Sequence, residues 1–144
     1  MKKSSDKAII NRRASFDYEL SDDLIVGLEL TGGETKAARL GHVQLKGSYV
    51  TVRGGQLWLI NASFSLASGQ KGAGRTVDTR ARRILAHRKQ INRFIEDKKQ
   101  GLTIVPRKLL NSGRYIKLVI ASGRGKKRYD KRQTIKKRDI ERHG

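Results

Sequence analysis

"SYVTVRGGQLWLINASF", residues 48–64, decides how the rest of the chain is read. Val50 and Val52 alternate with Tyr49, Thr51 and Arg53. Period-two alternation marks a strand with one buried face. Gly54-Gly55 then supplies the positive φ angles of a tight hairpin turn. Beyond it, Leu57 and Leu59 alternate with Trp58 and Ile60. The stretch reads as a β-hairpin, so the chain is expected to be built on short paired strands.

Downstream, "SGQKGAG" (68–74) is Gly-rich and polar, reads as mobile, and lacks the Gly-Lys-Ser/Thr ending of a phosphate loop. Residues 78–99 read as one long helix, with Val77, Ala81, Ile84, Leu85, Ile91, Phe94 and Ile95 as its apolar stripe. Asp78 or Thr79 can cap its start and Gly101 its end. "LTIVPRKLL" and "RYIKLVIAS" form a second hairpin around "NSG" (111–113), with Pro106 placed at an edge or bulge.

Upstream, "RASFDYEL" (13–20) sets Phe16, Tyr18 and Leu20 at period two and reads as a strand. "LIVGLEL" (24–30) is another, with Gly27 as a bulge or a point of close backbone approach. Thr31 and Glu34 have the spacing of a capping box, so 31–41 is a short helix closed by Gly41. Such strands bury best in a small barrel, which leaves few free edges. The expected fold is mainly β with helices: an OB-type small β-barrel with one short and one long helix, plus a basic C-terminal tail. The expected organisation is a flexible leader over 1–10, the barrel over 11–123, and a tail over 124–144 that is disordered when free.

The chain has 144 residues, of which 36% are hydrophobic, enough for one small core. Its formal net charge is +20, which self-repels unless a polyanion is bound, and nucleic acid is the usual partner. No long basic amphipathic helix with an aromatic face suggests a membrane surface instead. There is no cysteine, which excludes disulfides, thiol catalysis and Cys-based zinc sites. No apolar run nears the ~18 residues of a membrane span, and no signal peptide follows the basic start. The expected setting is the cytoplasm.

Catalysis finds little support. The histidines, His42, His87 and His143, have no metal-ligand spacing. Asp22-Asp23 and Glu96-Asp97 read as turn and helix-end carboxylates, and no serine sits in a nucleophile elbow. The basic residues are more informative. One cluster is "NRR" (11–13), with Arg12 and Arg13, and a second is Lys36 with Arg39 at i, i+3 on the short helix. A third is "RARR" (80–83), where Arg80, Arg82 and Arg83 are expected to open the long helix and receive phosphate at its N-terminus. The fourth is the tail, "GKKRYDKRQTIKKRD" (125–139). Aromatics are only 6% of residues, too few for a row of stacking platforms. Phosphate and shape recognition of a folded RNA is the better fit.

In order along the chain, "NRRASFDYEL", "GLELTGGETKAARLGHVQLKGSYV", "RARRILAHRKQI", "GLTIVP" and "GKKRYDKRQTIKKRD" resemble motifs of the bacterial SsrA-binding protein family, also called small protein B. The resemblance implies an OB-type barrel with no cofactor and no enzymatic activity. It implies binding, as a monomer, to the tRNA-like domain of transfer-messenger RNA (tmRNA). It further implies delivery to stalled ribosomes for trans-translation, with the tail sensing an empty mRNA channel. By motif match, Asn11, Glu34, Lys36, Arg80, Arg82 and Arg83 join the RNA-binding set with Arg12, Arg13 and Arg39. Lys126 and Lys127 extend that set into the tail. Tyr129, Asp130, Lys131, Arg132, Lys136, Lys137 and Arg138 are the matching decoding-site residues. Many members carry Tyr-Glu-Ala where this chain has Leu24-Ile25-Val26, so a glutamate linked to RNA binding is replaced by Ile25. Two wider readings stay open: a generic OB-fold ribosome-associated protein, and an RNA-processing enzyme.

Overall fold

Strand β5 (Tyr49–Arg53) turns through Gly54-Gly55 into β6 (Gln56–Ile60), pairing Val50 with Leu59 and Val52 with Leu57. Both turn glycines have positive φ, 57° and 74°. The hairpin is the one read from the sequence, and the structure around it is a computed structural model describing residues 8–67 and 74–125. Val50, Leu57 and Leu59 are fully buried.

Six strands close a barrel. Around it run β10 (Thr103–Leu110), β5, β6, β9 (Arg82–Leu85), β3 (Leu24–Leu28) and β11 (Lys117–Gly125), and β11 pairs back onto β10. All these pairings are antiparallel. Closure satisfies both edges of the sheet, and the alternating apolar residues fill the interior. The core is built from Val26, Leu59, Phe64, Ile84, Phe94, Ile104, Leu109, Leu118 and Ile120 among others. This is the expected OB-type barrel. Pro106 sits where the β10–β11 register slips, the bulge position expected of it. Two short strands extend the rim: β1 (Ala8–Ile10) on β10 and β2 (Tyr18–Leu20) on the end of β11.

Helix α2 (Gly32–Arg39) has the capping box expected of it: the Glu34 amide donates to Thr31 Oγ1, and the Thr31 amide donates to Glu34 Oε1. Four local readings are corrected. Residues 12–17 form helix α1 (Arg12–Asp17), and only Tyr18–Leu20 is strand. Ala8–Ile10 pairs with β10 through Ala8–Leu110, Ile9–Leu109 and Ile10–Lys108, where a loose leader was expected. At the other end, β11 continues to Gly125, two residues past the expected barrel end at 123.

Residues 78–99 are not one long helix. The long helix is shorter, α3 (Arg88–Lys99), and the residues before it form β8 (Arg75–Asp78) and β9. Ile84 and Arg82 both face inward on β9, a period of two. A charged residue on the buried side hid that period. A second sheet, unforeseen, joins β4 (Val43–Gln44), β7 (Ser63–Ala67) and β8. The expected mobile stretch 68–74 lies outside the described residues except for Gly74.

Candidate nucleic-acid interface

The third basic cluster opens no helix of its own. It surrounds a carboxylate instead. Glu34 projects from the first turn of α2, held there by the capping box. Its Oε1 accepts from Arg80 Nη2 at 2.7 Å, and its Oε2 accepts from Arg80 Nε at 2.9 Å. Arg82 Nε donates to the same Oε2 at 2.9 Å. Arg82 is fully buried, and its other donors reach the carbonyls of Ala62, Arg80 and Asp78 at 3.2, 2.7 and 3.1 Å. Its guanidinium lies 4.0 Å from the centroid of the Phe64 ring. A buried charge persists only when paired and hydrogen-bonded, and here both conditions are met.

Burial by itself would raise the Glu34 carboxyl. The hydrogen bonds from Arg80, the Thr31 amide and Arg82 outweigh it and hold the group below the ordinary glutamate range. The Glu34 bond lifts Arg80 above its ordinary value. Desolvation pulls Arg82 down, against Glu34, but a guanidinium stays charged at neutral pH. Glu34 and Arg82 therefore lie inside the wall of the fold. Arg80 is the outer member, with a half-exposed side chain.

The remaining cations face outward. Arg12 and Arg13 are exposed on α1, and Arg13 pairs with Asp17 at 3.3 Å and lies over the Phe16 ring. Arg83, beside Arg82 on β9, points to the opposite face and meets Glu29 at 3.2 Å. Lys36 is exposed on α2. Arg39 is exposed too, but its two Nη groups are committed to the carbonyls of Gly113 and Arg114 at 2.7 and 2.8 Å. Asn11 is buried: its Nδ2 donates to the Pro106 carbonyl at 2.8 Å and its amide to Arg107. It thereby fastens α1 to the β10 bulge. A groove of about 550 Å³ opens there, lined by Ile10, Asn11, Arg12, Ser15, Asp23, Arg107 and Lys108.

Arg107 and Lys108 were not singled out from the sequence. They become site residues only because β10 carries them to the mouth beside Arg12. Of the tail set, Lys126, Lys127, Tyr129, Asp130, Lys131, Arg132, Lys136, Lys137 and Arg138 all lie outside the described residues. Among the described residues no group of three or more His, Asp or Glu could hold a metal ion. No described helix is long and apolar enough to cross a membrane. The arrangement is thus one internal ion network that shapes the wall, with a shell of cations around it.

Comparison with known proteins agrees over most of the chain. The model of the SmpB protein family matches residues 8–144. The SsrA-binding protein of Oenococcus oeni is 42% identical over 144 residues, covering 97% of this chain and 90% of its own. That of Gloeothece citriformis is 41% identical over 133 residues, covering 92% and 86%. A solved chain described as "tmRNA-SmpB: a journey to the center of the bacterial ribosome" superposes with a TM-score of 0.68 at 34% identity, over 90% of this chain and 94% of that one. The family-model match over residues 8–144, with identities of 41% and 42% over 92% and 97% of the sequence, places the chain in the SmpB protein family of SsrA-binding proteins.

Proposed function

We propose that this chain binds the tRNA-like domain of tmRNA and delivers it to stalled ribosomes for trans-translation, the basic tail entering the empty mRNA channel. The observation that carries this reading is the likeness, over 90% of the chain, to a solved tmRNA–SmpB chain of the bacterial ribosome. The charge supports it: +20 overall, with cations distributed around the barrel wall and across its mouth.

In this reading Arg12, Arg13, Lys36, Arg80 and Arg83 meet RNA phosphates, joined by Arg107 and Lys108. Asn11, Glu34 and Arg82 serve the RNA indirectly, by holding the strands that carry those cations. Lys126 and Lys127 extend that grip into the tail, and the tail set from Tyr129 to Arg138 serves delivery. Selection of empty ribosomes is then steric, because a message in the channel excludes the tail. The work is binding and placement, carried out in the cytoplasm with no bond made or broken by the chain.

The test is a comparison of affinities at near-physiological salt for the tRNA-like domain of tmRNA, an ordinary tRNA and an unstructured RNA of equal length. The tRNA-like domain is expected to bind most tightly. With about six phosphates neutralised, log affinity should fall against log salt with a slope of about −4 to −5. Equal affinity for all three RNAs would overturn the reading and leave a generic nucleic-acid-binding barrel.

A further inference from the structure

The loop joining β10 to β11 is held far more firmly than a hairpin tip requires. Asn111, buried, donates from Nδ2 to the Ala38 carbonyl on α2 at 2.9 Å. Arg39, from the last turn of the same helix, grips the carbonyls of Gly113 and Arg114. Gly113 turns the chain at a φ of 84°. These bonds span more than 70 residues of sequence and tie three loop residues to one helix.

What the brace presents is Tyr115. Ile116 and Leu118 are buried in the core, whereas Lys117, between them at the start of β11, and Tyr115, in the loop before the strand, are exposed. Tyr115 is 66% exposed, the most exposed of the large hydrophobic side chains described. The Arg114 guanidinium lies 5.5 Å from its ring centroid. Lys36 stands on the same helix as Arg39, one turn away. An exposed aromatic ring beside an arginine matches both parts of a nucleotide, the ring for the base and the cation for the phosphate. Preorganisation by Arg39 lowers the cost of ordering the loop on binding.

We infer that the Arg39-braced loop 111–116 is a second RNA contact, in which Tyr115 stacks on an unpaired base and Arg114 meets the adjoining phosphate. It rests on the proposed RNA-binding function and adds a contact to it. The nucleotide can come from tmRNA or from ribosomal RNA, because the chemistry is the same.

The test uses the full chain with two partners in separate arms: the tRNA-like domain of tmRNA, and vacant ribosomes. Tyr115→Ala should weaken binding about 5- to 100-fold in the arm that supplies the base, while Tyr115→Phe retains it. The salt slope should stay unchanged for Tyr115→Ala and become shallower by about one for Arg114→Ala. Arg39→Lys keeps the charge but loses the two-pronged grip, so it should weaken binding in that same arm at an unchanged slope. Combined with Tyr115→Ala it should cost little more than Tyr115→Ala alone. Full affinity for Tyr115→Ala in both arms, with the wild type binding normally, would overturn this inference and leave the proposed function intact. Absence of wild-type binding in both arms would instead overturn the proposed function and this contact with it. A loss shared equally by Tyr115→Phe and Tyr115→Ala would also overturn it, since the ring would not be the recognised group.

Discussion

Arg82 Nε donates to Glu34 Oε2 at 2.9 Å, and both side chains are buried although 48 residues separate them. The pair joins α2 to β9 and so fixes where the outer cations of both elements stand. It is costly to break from one side, because the surviving charge stays buried without a partner.

Glu34→Gln is therefore expected to destabilise the fold by about 3 kcal/mol or more, although the side chain keeps its size. Urea unfolding at pH 7 checks this. The carboxyl is held below its ordinary range in the folded state. Its contribution is thus fully present above the unfolded glutamate value of about 4.3 and is lost as pH falls through the lower folded value. On acidification from pH 5 to pH 2 the wild type should lose its margin over Glu34→Gln. A margin that stays constant through that window would show that Glu34 is not held ionised by the arginines.

Arg82→Lys and Lys36→Ala separate the two classes of cation. Lysine has no planar fork to serve Glu34 and three carbonyls together, so Arg82→Lys should cost about 2–4 kcal/mol of stability. Its RNA affinity should fall only as far as the folded fraction falls. Lys36→Ala should leave stability within about 0.5 kcal/mol of wild type and make the salt slope shallower by about one. Thermal melts and salt-dependent titrations of the same samples decide between them. A shallower slope in fully folded Arg82→Lys would mean that Arg82 meets RNA after all.

Why some of this was legible in the sequence and some was not follows from the range of the interactions. The hairpin at 49–60 announces itself because alternation and the Gly54-Gly55 turn lie within a dozen residues. The capping box of α2 needs only Thr31 and Glu34. The inward face of β9 is carried by Arg82 and Ile84, and an arginine counts as inward only once Glu34 is known to wait there. Without that partner, Ala81, Ile84 and Leu85 fit a helical stripe equally well. At 13–20 the period-two pattern of Phe16, Tyr18 and Leu20 runs across a helix–strand junction and so suggests one element where there are two. The outward cations were recognisable as types, but the groove beside Asn11 exists only because β10 brings Arg107 and Lys108 next to Arg12.

The end of β11 is closely fitted. A Cβ at Gly123 would come within 2.7 Å of Leu20 Cδ2 and 2.9 Å of the Glu19 carbonyl oxygen. Leucine can yield, but the strand backbone of β2 cannot do so without losing its pairing. Gly123→Ala should therefore cost about 1–3 kcal/mol and raise hydrogen exchange at Ser21 and in β2 first. At Gly27 the nearest contact is 3.1 Å, to Leu85 Cβ, so Gly27→Ala should cost less. The reverse order in urea midpoints would mean that β2 is not held against β11 in solution.

Ser122 tightens the same junction from inside. Its Oγ donates to Asp97 Oδ2 at 2.8 Å, and its carbonyl accepts from both the amide and the Oγ of Ser21. Asp97 lies in the last turn of α3, where the helix dipole disfavours a carboxylate, so this hydroxyl is its compensation. Ser122→Ala should cost about 1 kcal/mol in Asp97-containing protein and close to nothing in an Asp97→Ala background. The chain has no cysteine, so single Cys labels can be placed at will to follow the consequence. A label at Gly125 and one at Arg53 should give a narrow distance distribution in the wild type and a broader one after Ser122→Ala, because Gly125 depends on this junction for its place in β11. Equal widths, with the stability loss still present, would mean that Ser122 supports α3 alone and leaves the direction in which β11 ends to its pairing with β2.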